Sequence, residues 1–346
     1  MPAPVVLADL TTLRLGGPAP DFVTAATPDE VAAAVVGDVL VLGGGSNLVV
    51  SDAGVTVPVV KIAVGGISRS ADADGTLVTI GAGLNWDDVV DELTAAGFAE
   101  LAPLSGIPGS AGATPVQNVG AYGAEIADFL DSATVFDRST RSARTMSAAE
   151  LALGYRSSVL RGADSAVVLD VTFRLHRGQT AVRYAELARV LGVEPGGVAP
   201  AAAVRQAVLE LRRGKGMVLD PADPDTTSAG SFFTNALLDD AALASARRAI
   251  ADRLGADVVI PAYPERDGRT KLLAAWLIER AGFRKGHPGP GGRVAISSKH
   301  TLALTNRGTG TTADLLVLAA EIRDGVLAAF GIRLEPEPVF VGVTLP

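Results

Sequence analysis

Cysteine is missing from the 346-residue chain, which excludes a thiolate nucleophile, a cysteine-ligated zinc and a protein-held iron–sulfur cluster. Histidine is nearly as scarce. His176, His287 and His300 are the whole supply, too few for an imidazole metal site, so no metal is expected. Electron transfer by such a chain would need a bound organic cofactor. Basic residues are outnumbered, 30 Lys+Arg against 38 Asp+Glu for a net charge of −8, and no basic run exceeds Arg212-Arg213. Phosphate backbones are neutralised by basic faces, so a nucleic-acid partner is not expected. Long apolar runs are absent too. The most apolar stretch, Val31 to Val50, is broken by Asp38 and Gly43-Gly44-Gly45, whereas a membrane span needs ~20 apolar residues. Met1 to Leu10 carries Asp9 and no basic region, unlike a secretory signal, so the cytoplasm is the expected compartment.

What the chain does have is glycine (39 residues), proline (20) and a 48% hydrophobic content ordinary for a globular protein. At ~150 residues per domain it divides into two or three domains. Val39 to Leu42 and Leu48 to Val50 read as strands either side of a glycine loop. Asn85 precedes Trp86, Val89, Val90 and Leu93, the cap and stripe of an amphipathic helix stopped at Gly97. Val167 to Leu175 alternates as a strand with one side packed. Helices are expected over Asp240 to Leu254, Leu272 to Ala281 and along Leu315, Leu318, Ile322, Val326 and Ala329. Strands are expected near Leu302 to Thr305 and Val339 to Val341, and loops or linkers at Val193 to Pro200 and Gly286 to Arg293. Helices and strands do not alternate regularly, which indicates an α+β fold.

Five segments concentrate chemistry. Gly43-Gly44-Gly45-Ser46-Asn47-Leu48 lets backbone N–H groups approach a pyrophosphate, although three glycines between strands also make a plain turn. The spacing fits neither a Rossmann nor a P-loop fingerprint, and no helix follows. The second segment runs from Ser105-Gly106-Ile107-Pro108-Gly109-Ser110 through Gly112-Ala113 to Gln117-Asn118 and Gly120-Ala121-Tyr122-Gly123. Its many N–H donors suit a large polyoxygenated ligand; a self-packed Ω-loop is the other reading. Tyr155-Arg156-Ser157-Ser158 offers a permanent cation for a carboxylate or phosphate, or a surface ion pair. In Ala229-Gly230-Ser231-Phe232-Phe233, Ser231 is either a proton donor dried by two aromatics or a turn residue. Glu335 and Glu337, two apart in an extended segment, share a face as an acid/base pair or as two surface acids.

Taken together, in this order and spacing, the five segments resemble the UDP-N-acetylenolpyruvoylglucosamine reductase family over essentially the whole chain. The resemblance implies a monomeric, cytoplasmic flavoprotein of peptidoglycan precursor synthesis that uses FAD and NADPH to reduce an enolpyruvyl UDP-sugar to UDP-N-acetylmuramate. It implies a two-subdomain FAD-binding unit of the vanillyl-alcohol-oxidase type over residues 1–66 and 67–205. A C-terminal α+β substrate domain follows over 206–346, its segment 331–346 returning toward the flavin. Gly43 to Leu48 and Ser105 to Gly123 would wrap the flavin, which would pass hydride from N5 to the substrate's C3. Arg156 matches the family's carboxylate-binding arginine, Glu337 its glutamate, and Ser231 the hydroxyl that protonates C2. Tyr184 resembles the tyrosine of an extra loop lying over the UDP group, Lys215 the diphosphate-binding lysine, and Asn235 a further polar contact. Ala236, Pro338 and Val339 depart from the family's usual residues. An FAD-linked oxidase or dehydrogenase of alcohols or hydroxy acids would share the glycine segments but leave Ser231-Phe232-Phe233 and Lys215 unexplained. The purified protein should be yellow, with the absorption bands of bound FAD; a colourless preparation that takes up no FAD would contradict the flavin assignment.

Overall fold

The structure, a computed structural model, describes residues 5–265 and 267–346. The chain forms two compact units. The first contains Ala19–Gly45 and Thr56–Val218, the second Val6–Pro18, Ser46–Val55 and Leu219–Pro346. The first glycine segment is thus divided, Gly43 to Gly45 lying in one unit and Ser46 to Leu48 in the other.

The first unit is built on two sheets. A three-stranded parallel sheet places Val59–Ile62 between Phe22–Ala25 and Leu40–Leu42. A five-stranded antiparallel sheet runs in the order Ser142–Ser147, Leu130–Asp137, Ala166–Leu175, Gly75–Gly81, Ile67–Asp72. The expected alternation in Ala166–Leu175 is present at Val171, Phe173 and Leu175, but Val168 is buried along with Val167 and Leu169, so this end of the strand is covered on both faces. Asp170 shares that covering, and burial pushes its carboxyl above the usual range. The helix Trp86–Ala95 starts where Asn85 Oδ1 accepts the N–H groups of Asp87 and Asp88. Trp86, Val89, Val90 and Leu93 face the core, where Trp86 lies 5.8 Å from Phe173 and donates its ring N–H to Leu104 O.

Of the loop or linker expected over Val193 to Pro200, the first part is a turn but the end is a strand. Val198–Pro200 pairs with Gln179–Ala181 and leads into the helix Ala201–Gly214, which alternation and caps did not announce because it begins on prolyl and alanyl residues. Val204, Ala207 and Val208 of this helix close a small separate core with Leu187 and Ala188 of the helix Ala185–Leu191.

In the second unit, Ala303–Asn306 lies between Ser228–Ser231 and Val294–Ile296, and Thr270–Leu272 lies between Ala236–Leu238 and Ala262–Pro264. Val339–Val341 runs parallel to Leu48–Val50. Leu272, expected in a helix, ends a strand instead. The helix is Ala274–Ala281, because the Asn235 side chain accepts the Ala274 N–H and sets its first turn. The helix Thr312–Phe330 buries Leu315, Leu318, Ile322 and Val326 against this core, with Ala329 half-buried. No described helix is long and apolar enough to cross a membrane.

The start of Thr312–Phe330 is fastened by charge. Asp52 accepts the Thr312 and Ala313 N–H groups, and Thr311 and Asp314 form a reciprocal capping box. The Arg293 guanidinium holds the Asp314 carboxyl down at about 2, aided by the Thr311 N–H. A carboxyl lowered on folding from 3.8 to about 2 adds stability above pH 4 and loses it as the pH falls toward 2. Asp314→Asn should therefore destabilise the protein by roughly 1 kcal/mol or more at pH 7. The gap from the unsubstituted protein should narrow through pH 4 to 2, as measured by urea unfolding across that range.

Candidate active site

The two glycine segments, more than sixty residues apart in sequence, meet. A Cβ built on Gly44 would fall 2.4 Å from Gly109 Cα, and one on Gly43 2.7 Å from Ser110 Oγ. Glycine is required at 44 because backbone touches backbone there, whereas Gly43 makes room for the Ser110 hydroxyl. Lys61, from the central parallel strand, donates to Gly43 O, and burial lowers its ammonium below the usual range. Along the second segment Ser105, Ser110, Thr114, Gln117 and Asn118 are all buried. Their polarity belongs to the loop's interior rather than to a solvated turn.

Two residues of that segment hold left-handed backbone without being glycine, Asn118 (φ 43) and Tyr122 (φ 50), and Arg156 beside it does the same (φ 49). Each costs on the order of 1–3 kcal/mol and survives because its surroundings fix it; such residues cluster at ligand sites. Asn118 shows how it is fixed. Its amide donates to Glu125 Oε2 and Gly154 O, and its oxygen accepts the Ala127 N–H. Arg156 lies within the narrow Gly154–Ser157 turn, and its guanidinium donates to Asn118 O and Gly120 O. Ser158 donates to Val116 O. The Tyr155-Arg156-x-Ser158 segment is therefore strapped to the glycine block, which places an arginine at its edge.

Around Tyr122 stand two more expected site residues. Tyr184, 42% exposed, meets the Tyr122 ring edge-on at 5.5 Å. Lys215 Nζ lies 5.8 Å from the same ring. It is also paired with Glu186 Oε2 at 2.7 Å.

In the second unit, a bulge between Ser228 and Ser231, with Gly230 at φ 76, turns the strand end. Phe232 and Phe233 are buried, 5.1 Å apart, and anchor the half-buried Ser231. The neighbouring chain is the C-terminal segment, since Thr234 N donates to Glu335 O and Glu337 N to Phe232 O. Asn47 joins them, its side chain donating to Glu337 O and its carbonyl accepting the Val339 N–H. Ser231, Glu337 and Asn47 are thus gathered by backbone pairing across most of the sequence. The two glutamates are not equivalent. Glu335 has its side chain 70% exposed opposite Arg333, whereas Glu337 is half-buried. Asn235, expected as a substrate contact, places its oxygen at the start of Ala274–Ala281.

Four residues of the site's frame gave no motif signal. Asp87 accepts the Gly106 N–H at 2.6 Å and a two-point grip from Arg205, and Arg205 also reaches Asp91. Burial opposes Asp87's charge, but Arg205, the Gly106 N–H and nearby Arg212 outweigh it and hold the carboxyl below the usual range. Arg205 and Arg212, seven apart and so on one face of Ala201–Gly214, are the available sign. Lys61 had none. An open cavity of about 490 Å³ beside His176 shares none of these residues.

Two tightly apposed glycine segments, the second with five buried polar side chains, in a unit built on one parallel and one antiparallel sheet have the form of an FAD-binding oxidoreductase, here with a second α+β unit. Known proteins agree. An FAD binding domain model matches residues 21–146, and a model for the UDP-N-acetylenolpyruvoylglucosamine reductase C-terminal domain matches residues 221–341. The reductase of Saccharopolyspora erythraea is 57% identical, covering 98% of this chain and 95% of its own. That of Thermobifida fusca is 53% identical, covering 99% and 98%. The crystal structure of the Thermus caldophilus enzyme, 27% identical, superposes with a TM-score of 0.66 over 98% of both chains. The chain belongs to the UDP-N-acetylenolpyruvoylglucosamine reductase family.

Because any side chain at residue 44 collides with Gly109, Gly44→Ala should separate the two segments. Flavin content after purification should fall at least tenfold, read from the absorbance ratio at the flavin and protein bands, and the melting temperature should drop by several degrees.

Proposed function

We propose that the protein carries out the family's reaction, reducing the enolpyruvyl ether of UDP-N-acetylglucosamine to UDP-N-acetylmuramate at the expense of NADPH, in cytoplasmic peptidoglycan precursor synthesis. In this reading residues 1–66 and 67–205 would chiefly serve the flavin and 206–346 the UDP-sugar, although the compact units interleave along the chain and the first runs on to Val218. FAD bound there would supply the two-electron chemistry that links NADPH to the enolpyruvyl C3. Gly43 to Leu48 and Ser105 to Gly123 would hold that cofactor. The observation that carries the catalytic reading is the backbone pairing of the Ser231 and Glu337 segments, joined by Asn47.

The chain's own residues then divide the work. Hydride arriving at C3 moves charge toward C2 and the substrate carboxylate, and Arg156, permanently charged and held by two carbonyls of the glycine block, is the cation for it. Glu337, half-buried, acts beside that carboxylate, and solvent-exposed Glu335 does not. Ser231 gives its hydroxyl proton to C2. A serine is a weak acid, so its usefulness rests on being held in place by Phe232 and Phe233 and turned by the Gly230 bulge. Lys215 and Tyr184 receive the diphosphate and uridine ends, with Asn235 as a further polar contact.

The test is an anaerobic two-step flavin experiment. NADPH should bleach the flavin, and the enolpyruvyl UDP-sugar should restore its colour without oxygen. In Ser231→Ala the bleaching rate should be unchanged while recolouring slows by about 10²–10⁴-fold. Equal slowing of both steps would make Ser231 structural, and fast recolouring by oxygen alone would favour an oxidase.

A further inference from the structure

The ammonium assigned to the substrate's diphosphate is already engaged. Lys215 caps the helix Ala201–Gly214 and reaches Glu186, in the first turn of Ala185–Leu191, at 2.7 Å. Both side chains are about one-third exposed, at 35% and 34%, so the pair is open to solvent and to an incoming ligand. Burial draws the Lys215 ammonium down, but Glu186 and the neighbouring tyrosines more than offset this and hold it above its ordinary range. Tyr184, two residues before Glu186, packs edge-on against Tyr122, over whose ring the ammonium sits. The carboxylate is therefore carried by the same short helix start as the tyrosine assigned to the UDP group.

We infer that Glu186 is an internal anion that occupies Lys215 in the free enzyme and gives way to the substrate's diphosphate, setting how tightly a UDP ligand is held. The physical reason is competition. An ammonium can neutralise the carboxylate or the diphosphate, and a diphosphate seated beside a retained carboxylate meets like charge. Ligand binding must therefore first break the pair, and apparent affinity is reduced by the fraction of enzyme in which Lys215 is free. The pair also keeps a surface cation from holding stray phosphates. The inference rests on the reading of Lys215 as the diphosphate cation.

The experiment titrates UDP into the flavin-loaded enzyme and follows flavin absorbance, for the unsubstituted protein, Glu186→Gln, Glu186→Asp and Lys215→Met. Glu186→Gln keeps the side chain's shape and removes its charge. UDP should bind about three- to five-fold more tightly, with the KM for the UDP-sugar falling by a similar factor and kcat not rising. Glu186→Asp, which retains the charge, should return toward the unsubstituted affinity. Lys215→Met should weaken UDP binding at least tenfold. Unchanged flavin content and melting temperature establish that each variant is folded. If Lys215→Met weakens UDP but Glu186→Gln weakens it too or leaves it unaltered, Glu186 merely orients the lysine and the inference is overturned while the Lys215 assignment stands. If Lys215→Met leaves UDP binding unchanged, that assignment fails and the inference with it.

Discussion

The first unit depends on one close approach, that of the Gly43-Gly44 backbone to Gly109-Ser110. The parallel sheet delivers the first pair directly from Leu40–Leu42, and Lys61 of its central strand ties Gly43 in place. The antiparallel side delivers the second pair. Gly109 O accepts the Trp86 N–H at the head of a helix, Ala111 N donates to Leu84 O, and Gly112 N donates to Ala82 O. The two sheets of the unit are therefore stitched together where Gly44 meets Gly109, neither with a side chain. A seam of backbone leaves no side-chain volume to absorb a misfit, so its geometry is set by hydrogen bonds and chain length alone.

Around this seam, strain and charge are kept close together. Left-handed Asn118, Tyr122 and Arg156 sit within one loop system, each held by interactions from a different stretch of chain. Asp87 plays a comparable part from below, binding Gly106 while Arg205 neutralises it. Residues that look like ligand contacts thus also restrain one another, and replacing one shifts its neighbours. Additivity among substitutions in this cluster is not expected.

Much of this was legible in the sequence where the physics is local. The Asn85 cap with its Trp86, Val89, Val90, Leu93 stripe and the Val339 to Val341 strand stand as the pattern indicated, and the motif spacing pointed to the family. The helix Ala201–Gly214 was not legible, since it lacks a capping side chain and follows a proline. Nor was the shift of the helix start from Leu272 to Ala274, because Asn235 sets it from thirty-nine residues away. Glu335 and Glu337 looked equivalent by spacing. Their different exposures come from pairing with Phe232 and Thr234, a long-range effect that no local window contains. Lys61, Asp87, Arg205 and Arg212 belong with these, as frame residues with no motif of their own.

The parallel pairing of Leu48–Val50 with Val339–Val341 bears on how the molecule is made as well as on its final form. These strands are separated by almost the whole chain, and loops that long close slowly and without local guidance. During synthesis Leu48–Val50 emerges early and lacks this partner strand until Val339–Val341 has been made. Asn47 meets Glu337 in the same pairing, and Phe232 and Thr234 bond to Glu337 and Glu335 only once that segment is present. A nascent or truncated chain could assemble the glycine seam of the first unit while lacking the Glu337 side of the other. The frames of the two units would then be completed at separate moments in the life of each molecule.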